Sequence, residues 1–163
     1  MNEVTIRAPL PADHLEIAAL IESLIPRYLS REVTDEGVAI IRANAQPGLI
    51  GARLGLLIHP TWIPAFVAVS GSRIIGFGAV TDDTHITQVH VAEGWHGNGI
   101  GARLVRALIE GVRQRHPHAR FVTLNAASGA LVSYLRMGFV PVGPRWTWRG
   151  ITAQPMSLQI DRR

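Results

Sequence analysis

Cysteine and lysine are both missing from this chain of 163 residues. Without cysteine there is no disulfide framework, no thiol nucleophile and no cysteine-ligated metal. Without lysine there is no Walker phosphate loop, because that loop requires a Gly-Lys-Ser/Thr sequence. All sixteen basic residues are therefore arginines, and the formal net charge is +4. These absences exclude two large classes of catalytic and nucleotide-binding chemistry.

Long apolar runs are also missing. No stretch approaches the roughly 18 apolar residues of a membrane-spanning helix, and the first residues lack the basic-then-apolar pattern of a signal peptide. Apolar residues make up 47% of the chain and charged residues only 17%, which is typical of a folded globular protein. We therefore expect one domain over residues 1–163, located in the cytoplasm and making no membrane contact.

The positive charge raises the question of nucleic-acid binding, but the arginines are dispersed along the sequence. The densest group, Arg113, Arg115 and Arg120 with His116 and His118, falls at the end of a predicted helix, where cations interact favourably with the helix dipole. A solvated surface explains this group better than a nucleic-acid patch, and attraction of an anionic ligand is a further alternative. The scattered histidines predict no metal site.

The most informative stretch runs from Gln88 to Glu110 and reads as a strand, a glycine-rich loop and a helix. Apolar and polar residues alternate up to Val91, and helical spacing begins after the loop. Glycines at the alternate positions 97, 99 and 101 leave main-chain N–H groups uncovered where the helix starts. Together with the helix dipole, such groups suit a phosphate or pyrophosphate. This prediction is preferred to a turn whose glycines only supply permissive dihedral angles.

A dinucleotide-binding fingerprint fits the same loop poorly. The spacing Gly97-x-Gly99-x-x-Ala102 can be matched to it, but that motif expects an acidic residue about 20 positions further on, to hold a ribose. No Asp or Glu occurs between Glu110 and Asp161. The phosphate ligand therefore belongs to another class.

Signals along the rest of the chain predict an α/β fold with a mixed sheet. Helices capped by Asp13 and Thr34 follow the first strand. Three strands joined by short turns then favour an antiparallel meander. The strand after the central helix should lie parallel to the one before it, because a helical crossover joins them. The predicted helices are 13–28, 36–43, 47–57 and 128–137, and the predicted strands are 4–7, 65–69, 73–81, 84–91, 120–124, 139–142 and 151–160.

The glycine-rich stretch resembles the acetyl-CoA pyrophosphate loop of the GNAT superfamily of N-acetyltransferases. The family pattern Gln/Arg-x-x-Gly-x-Gly/Ala aligns with His96, Gly99 and Gly101 of this chain. A histidine therefore stands where relatives usually carry arginine or glutamine. This departure affects side-chain help to the phosphate and leaves the main-chain cradle unchanged.

A second stretch and the order of the elements extend the resemblance over roughly residues 3–160. The pattern Asn125-x4-Ala130-x3-Tyr134-x3-Gly138-Phe139 is similar to a recurring Asn…Ala…Tyr…Gly-Phe stretch of the family. The resemblance implies an α/β fold with a single GNAT-like domain. Its mixed, mostly antiparallel sheet would splay open between the fourth and fifth strands, with helices on both faces.

In the family, this splay exposes a strand edge that holds acetyl-CoA. The resemblance therefore implies that acetyl-CoA is the acetyl donor and that no metal takes part. The pantetheine arm would pair along the strand, and a main-chain N–H near Val91 would face the thioester oxygen. The pyrophosphate would rest on the loop amides. The implied cofactor-binding residues are Val89, His90, Val91, His96, Gly97, Asn98, Gly99, Ile100, Gly101, Ala102 and Asn125.

Two side chains are candidates for proton transfer during acetyl transfer. Tyr134 matches the family tyrosine and is the predicted general acid, which gives a proton to the coenzyme sulfur. His85 is the first candidate for the general base, with Asp83 or a chain of waters as alternatives. Simple strand alternation predicts that His85 shares a face with Val89, opposite the face of His90.

Structural roles are open for three of these residues. Tyr134 can pack its ring on a helix and expose its hydroxyl. His90 can pack under a helix with its ring nitrogen satisfied, and Asn125 can cap the helix that begins near Ser128. The family motif favours the functional role for Tyr134, and packing under a helix is the preferred role for His90. Asn125 stays undecided between its two alternatives.

We therefore hypothesise an acetyl-CoA-dependent N-acetyltransferase that acetylates a primary amine of a small molecule or protein by direct attack in a ternary complex. A non-catalytic acyl-CoA-binding module on the same fold is one alternative, and an arginine-rich nucleic-acid-binding domain is a more distant one. A homodimer stays open. The acceptor pocket should form between the first two helices and the last hairpin. Its candidate residues are Tyr28, Arg31, Trp62, Trp146 and Trp148. A place in the core or in a dimer contact is the slightly preferred alternative for these side chains.

Overall fold

A mixed sheet forms the fold of residues 3–29, 33–55 and 60–161, which the computed structural model describes. The strands are β1 (Val4–Arg7), β2 (Ala65–Ser70), β3 (Arg73–Thr81), β4 (His85–Val91), β5 (Phe121–Ala126), β6 (Val140–Pro141), β7 (Trp146–Trp148) and β8 (Ile151–Gln159). The helices are α1 (His14–Leu29), α2 (Asp35–Asn44), α3 (Pro47–Arg53), α4 (Ile100–Arg115) and α5 (Leu131–Arg136), with short 3-10 turns at Pro11–Asp13 and Ser128–Ala130. The strand order is β1-β2-β3-β4-β5-β8-β6, and β7 pairs with β8. Among these pairs only β4 and β5 are parallel, so the predicted mixed sheet and its parallel pair are confirmed.

The start of α1 differs from the prediction that Asp13 caps it. Asp13 instead closes the 3-10 turn before the helix, where its carboxylate accepts the Leu10 N–H at 2.7 Å. The same carboxylate pairs with the Arg7 guanidinium at 2.7 Å, and this bond is the main reason why the pKa of Asp13 lies below its ordinary value. The helix itself continues past Pro26 and ends at Leu29.

A tight turn at Arg149 and Gly150 fastens the β7–β8 hairpin to the start of α2. Thr34 caps α2 as predicted, accepting the Gly37 N–H at 3.4 Å, and its own N–H donates to the Gly150 carbonyl at 2.9 Å. Arg149 and Gly150 both have positive φ, 46° and 82°, as in a primed hairpin turn. Arg149 also pairs with Glu36 at 3.3 Å. A Cβ on Gly150 would collide with Oγ1 of Thr34, so this corner requires glycine.

Helices pack on both faces of the sheet. On one face, Gly76 and Gly78 of β3 leave room for Leu104 and Leu108 of α4, whose side chains would lie 3.0 Å from any added Cβ. On the opposite face, Phe77 packs against Trp62 with ring centroids 5.3 Å apart. Because α4 rests directly on β3, the loop that precedes α4 is held at a fixed place beside β4.

The parallel strands β4 and β5 separate soon after they meet. Only two residue pairs join them, His85 with Thr123 and Ile86 with Leu124. Beyond these pairs β4 continues to Val91, while β5 continues along β8 on its other side. The predicted opening between the fourth and fifth strands is confirmed.

A β-bulge at Thr87 reverses the predicted facing of His85. The register between β3 and β4 shifts by one residue there, which makes Thr87 the extra residue. Below the bulge, Ile86 joins the buried cluster on the α4 side of the sheet. His85 therefore points to the opposite face, which also carries His90. The prediction that His85 shares a face with Val89 is wrong, because simple alternation does not hold across a bulge.

Candidate active site

The gap between β4 and β5 exposes main-chain groups of β4. Along a strand, successive N–H groups point alternately to its two neighbours. Ala92, directly after β4, donates its N–H to the Ile75 carbonyl on the β3 side at 2.8 Å. The N–H groups of Val89 and Val91 therefore point into the gap. An extended ligand can pair with this edge in the way that an added strand would.

A glycine-rich loop, residues 94–99, leads from this edge into α4 and is called the glycine loop below. Gly99 is the N-cap of α4 with a φ of 74°, a left-handed conformation that favours glycine. A Cβ on Gly97 or Gly99 would meet no described atom within 4 Å, and the first turn of α4 carries no acidic side chain. The first amides of α4 therefore face open space with the positive end of the helix dipole behind them.

Arg27 of α1 reaches across to His96 in the glycine loop. Its Nη1 donates to Nδ1 of His96 at 2.9 Å, so this ring nitrogen carries no proton. Burial, and then the positive charge of Arg27, lower the pKa of His96. A neutral ring is thus held beside a permanent cation at the mouth of the loop. Asn98 braces the same loop by donating to the Trp95 carbonyl at 3.1 Å.

A pocket of about 270 Å³, called the glycine-loop pocket, joins the exposed edge of β4 to α5. Tyr134 of α5 lies in its wall, and the tyrosine ring stands edge-on to Phe139 with centroids 5.7 Å apart. This contact holds the ring in place at the wall of the pocket. The lining residues are Leu24, Arg27, Val33, Val89, His90, Val91, His96, Gly101, Ala127, Ser128, Gly129, Ala130, Ser133, Tyr134, Met137 and Thr152.

A second pocket of about 460 Å³, called the Trp62 pocket, lies between β4, α2, α3 and the β7–β8 hairpin. Trp62 is only 4% exposed, and the Arg53 guanidinium stacks over its ring with Cζ 5.0 Å from the centroid. The wall of the pocket combines apolar and aromatic side chains with an equal number of polar ones, so it can both hold and orient a small molecule. Its lining residues are Ile21, Ile40, Ile41, Asn44, Ala45, Arg53, Thr61, Trp62, Thr81, Thr87, Gln88, His90, Trp148 and Ile151.

His90 lines both pockets and therefore stands between them. Its Nε2 donates to Oε1 of Gln88 at 2.6 Å. Burial lowers the pKa of His90 from 6.5 to about 4, so the ring is neutral at physiological pH. A neutral imidazole therefore stands between the two cavities.

Neither pocket is lined by His85, Asp83 or Asn125. His85 places its Nδ1 2.8 Å from Oγ1 of Thr123, and burial lowers its pKa. Asp83, the alternative base, lies in the turn before β4 with its carboxylate 3.5 Å from Nε2 of His116. Asn125 is exposed on β5, and the 3-10 turn that follows has no side-chain cap, so the alternative role of Asn125 as a helix cap is wrong.

The structure brings the other predicted residues together around the glycine loop. Ile100 is 2% exposed, so only its main chain can face a ligand. Gly97, Asn98 and Gly99 form the exposed part of the loop, and Ala102 lies in the first turn of α4. The predicted residues that line the glycine-loop pocket are Val89, His90, Val91, His96, Gly101 and Tyr134.

The residues predicted for the acceptor pocket do not all lie in one place. Trp62 and Trp148 line the Trp62 pocket, whereas Trp146 lines neither pocket. Tyr28 and Arg31 lie outside the side chains that the structure describes. Sequence reasoning missed Arg53 and Gln88, since no local pattern distinguishes one arginine among sixteen or one glutamine on a strand.

Two kinds of feature are not found in the part of the chain that the structure describes. No three His, Asp or Glu side chains there come close enough to hold a metal ion. None of the helices there combines the length and the apolar character needed to cross a membrane.

A family model for the Acetyltransferase (GNAT) domain matches residues 64–160, which include the exposed strand edge, the glycine loop and Tyr134. The chain belongs to the GNAT acetyltransferase family. The departure at His96 is therefore a variation within the GNAT glycine loop. No curated protein matches the sequence of this GNAT chain significantly.

Solved structures resemble this GNAT chain over nearly its whole length. A GCN5-related N-acetyltransferase from Rhodopseudomonas palustris shares 21% identity over 98% of both chains, with a TM-score of 0.80. The PaiA N-acetyltransferase from Thermoplasma acidophilum, in complex with coenzyme A, has a TM-score of 0.80 at 13% identity, covering 97% of this chain and 99% of that one. YncA from Salmonella typhimurium, with its cofactor acetyl-CoA, has a TM-score of 0.66 at 19% identity, covering 99% and 96%. At these identities the likeness shows the GNAT fold alone.

Proposed function

We propose that this GNAT protein is an N-acetyltransferase that moves the acetyl group of acetyl-CoA to a primary amine of a small molecule or protein. The observation that carries the proposal is that the glycine-loop pocket and the Trp62 pocket share His90 as a lining residue, beside the gap in the sheet. Two substrates bound in these cavities would approach each other at one point. Direct attack within a ternary complex follows, because holding both reactants in line supplies much of the rate enhancement.

Acetyl-CoA fits the glycine-loop side for three reasons. The uncovered amides at the start of α4 suit a pyrophosphate, and the Arg27–His96 pair adds positive charge beside them. The N–H groups of Val89 and Val91 can pair with the amide groups of an extended pantetheine arm. Relatives of the same fold are known with coenzyme A and with acetyl-CoA, which supports the same donor here.

The chemistry requires one bond to form and one to break. The amine nitrogen bonds to the thioester carbon, the carbon–sulfur bond breaks, and the amine loses a proton. Charge that develops on the thioester oxygen would be stabilised by the N–H of Val91, which points into the gap. Tyr134, in the wall of the glycine-loop pocket, would give a proton to the departing sulfur.

Removal of the amine proton is assigned to the polar face of β4. His90 lines both pockets and is neutral at physiological pH, so it can receive a proton directly or through water. Thr87 and Gln88 continue this polar face along the Trp62 pocket. His85 lies further along the same face, next to Thr123, and its predicted role as base would act through a chain of waters.

Calorimetry and thiol release together test this function. Acetyl-CoA titrated into the protein should bind, and a panel of primary amines should contain at least one that releases coenzyme A as free thiol. Absence of binding at millimolar acetyl-CoA would contradict the proposal. Binding without thiol release from any amine would instead favour a non-catalytic acyl-CoA-binding module.

A further inference from the structure

Arg53 is the charged residue of the Trp62 pocket. Among the described residues that line this cavity, no Asp or Glu occurs, and no described carboxylate pairs with the guanidinium. Burial lowers the pKa of Arg53, which reflects the loss of water around the cation. The pocket therefore favours an anion and disfavours a second cation.

The position of Arg53 is set before any ligand binds. Its guanidinium stacks on the Trp62 ring and donates to Oδ1 of Asn44 at 2.9 Å and to the Asn44 carbonyl at 3.4 Å. Its main-chain carbonyl accepts the N–H groups of Thr61 and Trp62 at 3.0 and 3.2 Å. A guanidinium has five N–H donors, so those that Asn44 does not engage can serve an oxyanion in the pocket.

Apolar residues of the Trp62 pocket can bind the uncharged part of an anionic ligand. Ile40, Ile41, Trp62 and Trp148 offer apolar and aromatic surface between α2 and the β7–β8 hairpin. At about 460 Å³, the cavity has the size of a small-molecule site. The main chain of a protein acceptor would present only neutral amide groups to Arg53, and these would leave the cation without a counter-charge.

We propose that the acceptor is a small apolar or aromatic aminocarboxylate, whose carboxylate pairs with Arg53 while its amine lies at His90. This inference rests on the proposed acetyl transfer and names the class of acceptor for it. The shared recognition element is a planar oxyanion on an amine-bearing molecule, which a guanidinium binds through two parallel N–H groups.

Matched acceptors test the inference in a thiol-release assay with saturating acetyl-CoA. Leucine, methionine, phenylalanine and tryptophan would each be compared with the corresponding amino acid amide, which keeps the amine and the side chain and removes the negative charge. The wild-type kcat/KM should be at least tenfold higher for one or more of the acids than for the matching amides. Arg53→Gln should lower kcat/KM for those acids by roughly ten- to hundredfold, mainly through KM, and lower it for the matching amides by a clearly smaller factor.

Two controls make the result decisive. Arg53→Lys keeps the charge and should retain part of the preference for acids, and both variants should bind acetyl-CoA as the wild type does. A wild-type kcat/KM for the amides that equals or exceeds the value for the acids would overturn the inference, while the acetyltransferase proposal would stand. An equal fall in kcat/KM for acids and amides in Arg53→Gln would have the same meaning. Absence of thiol release with every acid and every amide overturns this inference, and a broader amine panel then decides whether the acetyltransferase proposal fails as well.

Discussion

Nδ1 of His85 lies 2.8 Å from Oγ1 of Thr123, at the last residue pair but one before β4 and β5 separate. This contact ties the two strands together at the base of the gap. It also places the imidazole next to β5, and His85 lines neither of the two pockets. His85 and His90 therefore lie on one face of β4 in different surroundings, and substitution can distinguish their roles.

Substitution of each histidine by glutamine should give unequal kinetic effects. His90→Gln should lower kcat about tenfold or more, because the ring lines both of the pockets proposed for the two substrates. His85→Gln should lower kcat by less than tenfold, since a glutamine can still hydrogen-bond to Thr123. Steady-state kinetics with saturating acetyl-CoA measures both. The opposite order would assign the base to His85.

Acid sensitivity should follow from the lowered pKa of His90. Its folded-state pKa of about 4 lies below the ordinary 6.5, so between these values the unfolded chain binds a proton that the folded chain does not. Folding stability attributable to His90 is therefore complete above pH 6.5 and is lost as the pH falls towards 4. His90→Gln should flatten the dependence of Tm on pH in this window. The variant should keep a smaller slope of Tm against pH, because the pKa values of His85 and His96 are also lowered. A slope equal to that of the wild type would contradict the assignment to His90.

A methyl group on Gly101 should separate ligand binding from folding. An added Cβ would lie 3.7 Å from the Val91 side chain, an ordinary contact, so Gly101→Ala should fold and gain about 0.5–1 kcal/mol from reduced freedom of the unfolded chain. The methyl group would stand in the glycine-loop pocket, and the affinity for acetyl-CoA should fall about tenfold, or about 1.4 kcal/mol.

Gly48 of α3 provides the matched control for Gly101. It is a helical glycine whose added Cβ would meet no described atom within 4 Å, and it lines neither pocket. Gly48→Ala should therefore raise Tm without changing acetyl-CoA affinity in calorimetry. Equal affinity of the Gly101→Ala variant and the wild type would argue against phosphate binding at the start of α4.

Loss of the Tyr134 hydroxyl should slow turnover more than it weakens donor binding. Tyr134→Phe keeps the edge-on ring contact with Phe139, so the fold of α5 should be unchanged. Because a general acid contributes about 10²–10⁴ in rate, kcat should fall about tenfold or more. Calorimetry with acetyl-CoA is the companion measurement. An unchanged kcat would remove Tyr134 from the acid role and leave it as part of the pocket wall.

The corner at Gly150 should matter for the Trp62 pocket and not for the glycine-loop pocket. An alanine at position 150 would have to adopt a φ of 82°, and its Cβ would collide with the Thr34 side chain. Gly150→Ala should therefore destabilise the fold by about 2–4 kcal/mol. The hairpin would shift away from α2, and KM for the amine should rise while acetyl-CoA affinity holds. Gly143 has the same φ of 82°, but its added Cβ would meet no described atom within 4 Å. Gly143→Ala should therefore cost only about 1–2 kcal/mol and leave KM unchanged. Similar KM values for the two variants would contradict the role of the hairpin in the pocket.

Local patterns were sufficient for the glycine loop and for most of the helices and strands. The alternate glycines 97, 99 and 101 define main-chain geometry without help from distant residues, and the start of α4 lies where they predict. The Thr34 cap is equally local, because one side chain satisfies an amide three residues away. The roles of Tyr134 and of the loop amides in acetyl transfer stay predictions until they are measured.

Features that depend on distant contacts were not predictable. The bulge at Thr87 exists because β3 and β4 must pair around it, and nothing in the alternating sequence signals it. β7 is only three residues long and forms because α2 receives the corner at Gly150. Arg53 becomes distinctive only when Trp62 and Asn44 are placed beside it.

The separation of β4 from β5 after two residue pairs has a further consequence for how such proteins diversify. The donor side is built from β4, the glycine loop and α5, whereas the opposing cavity draws on α2, α3 and the β7–β8 hairpin. Mutations in the latter segments can therefore accumulate without disturbing the cradle for the thioester carrier. Divergent members of one lineage can keep a single acetyl source while exchanging the compounds that they modify.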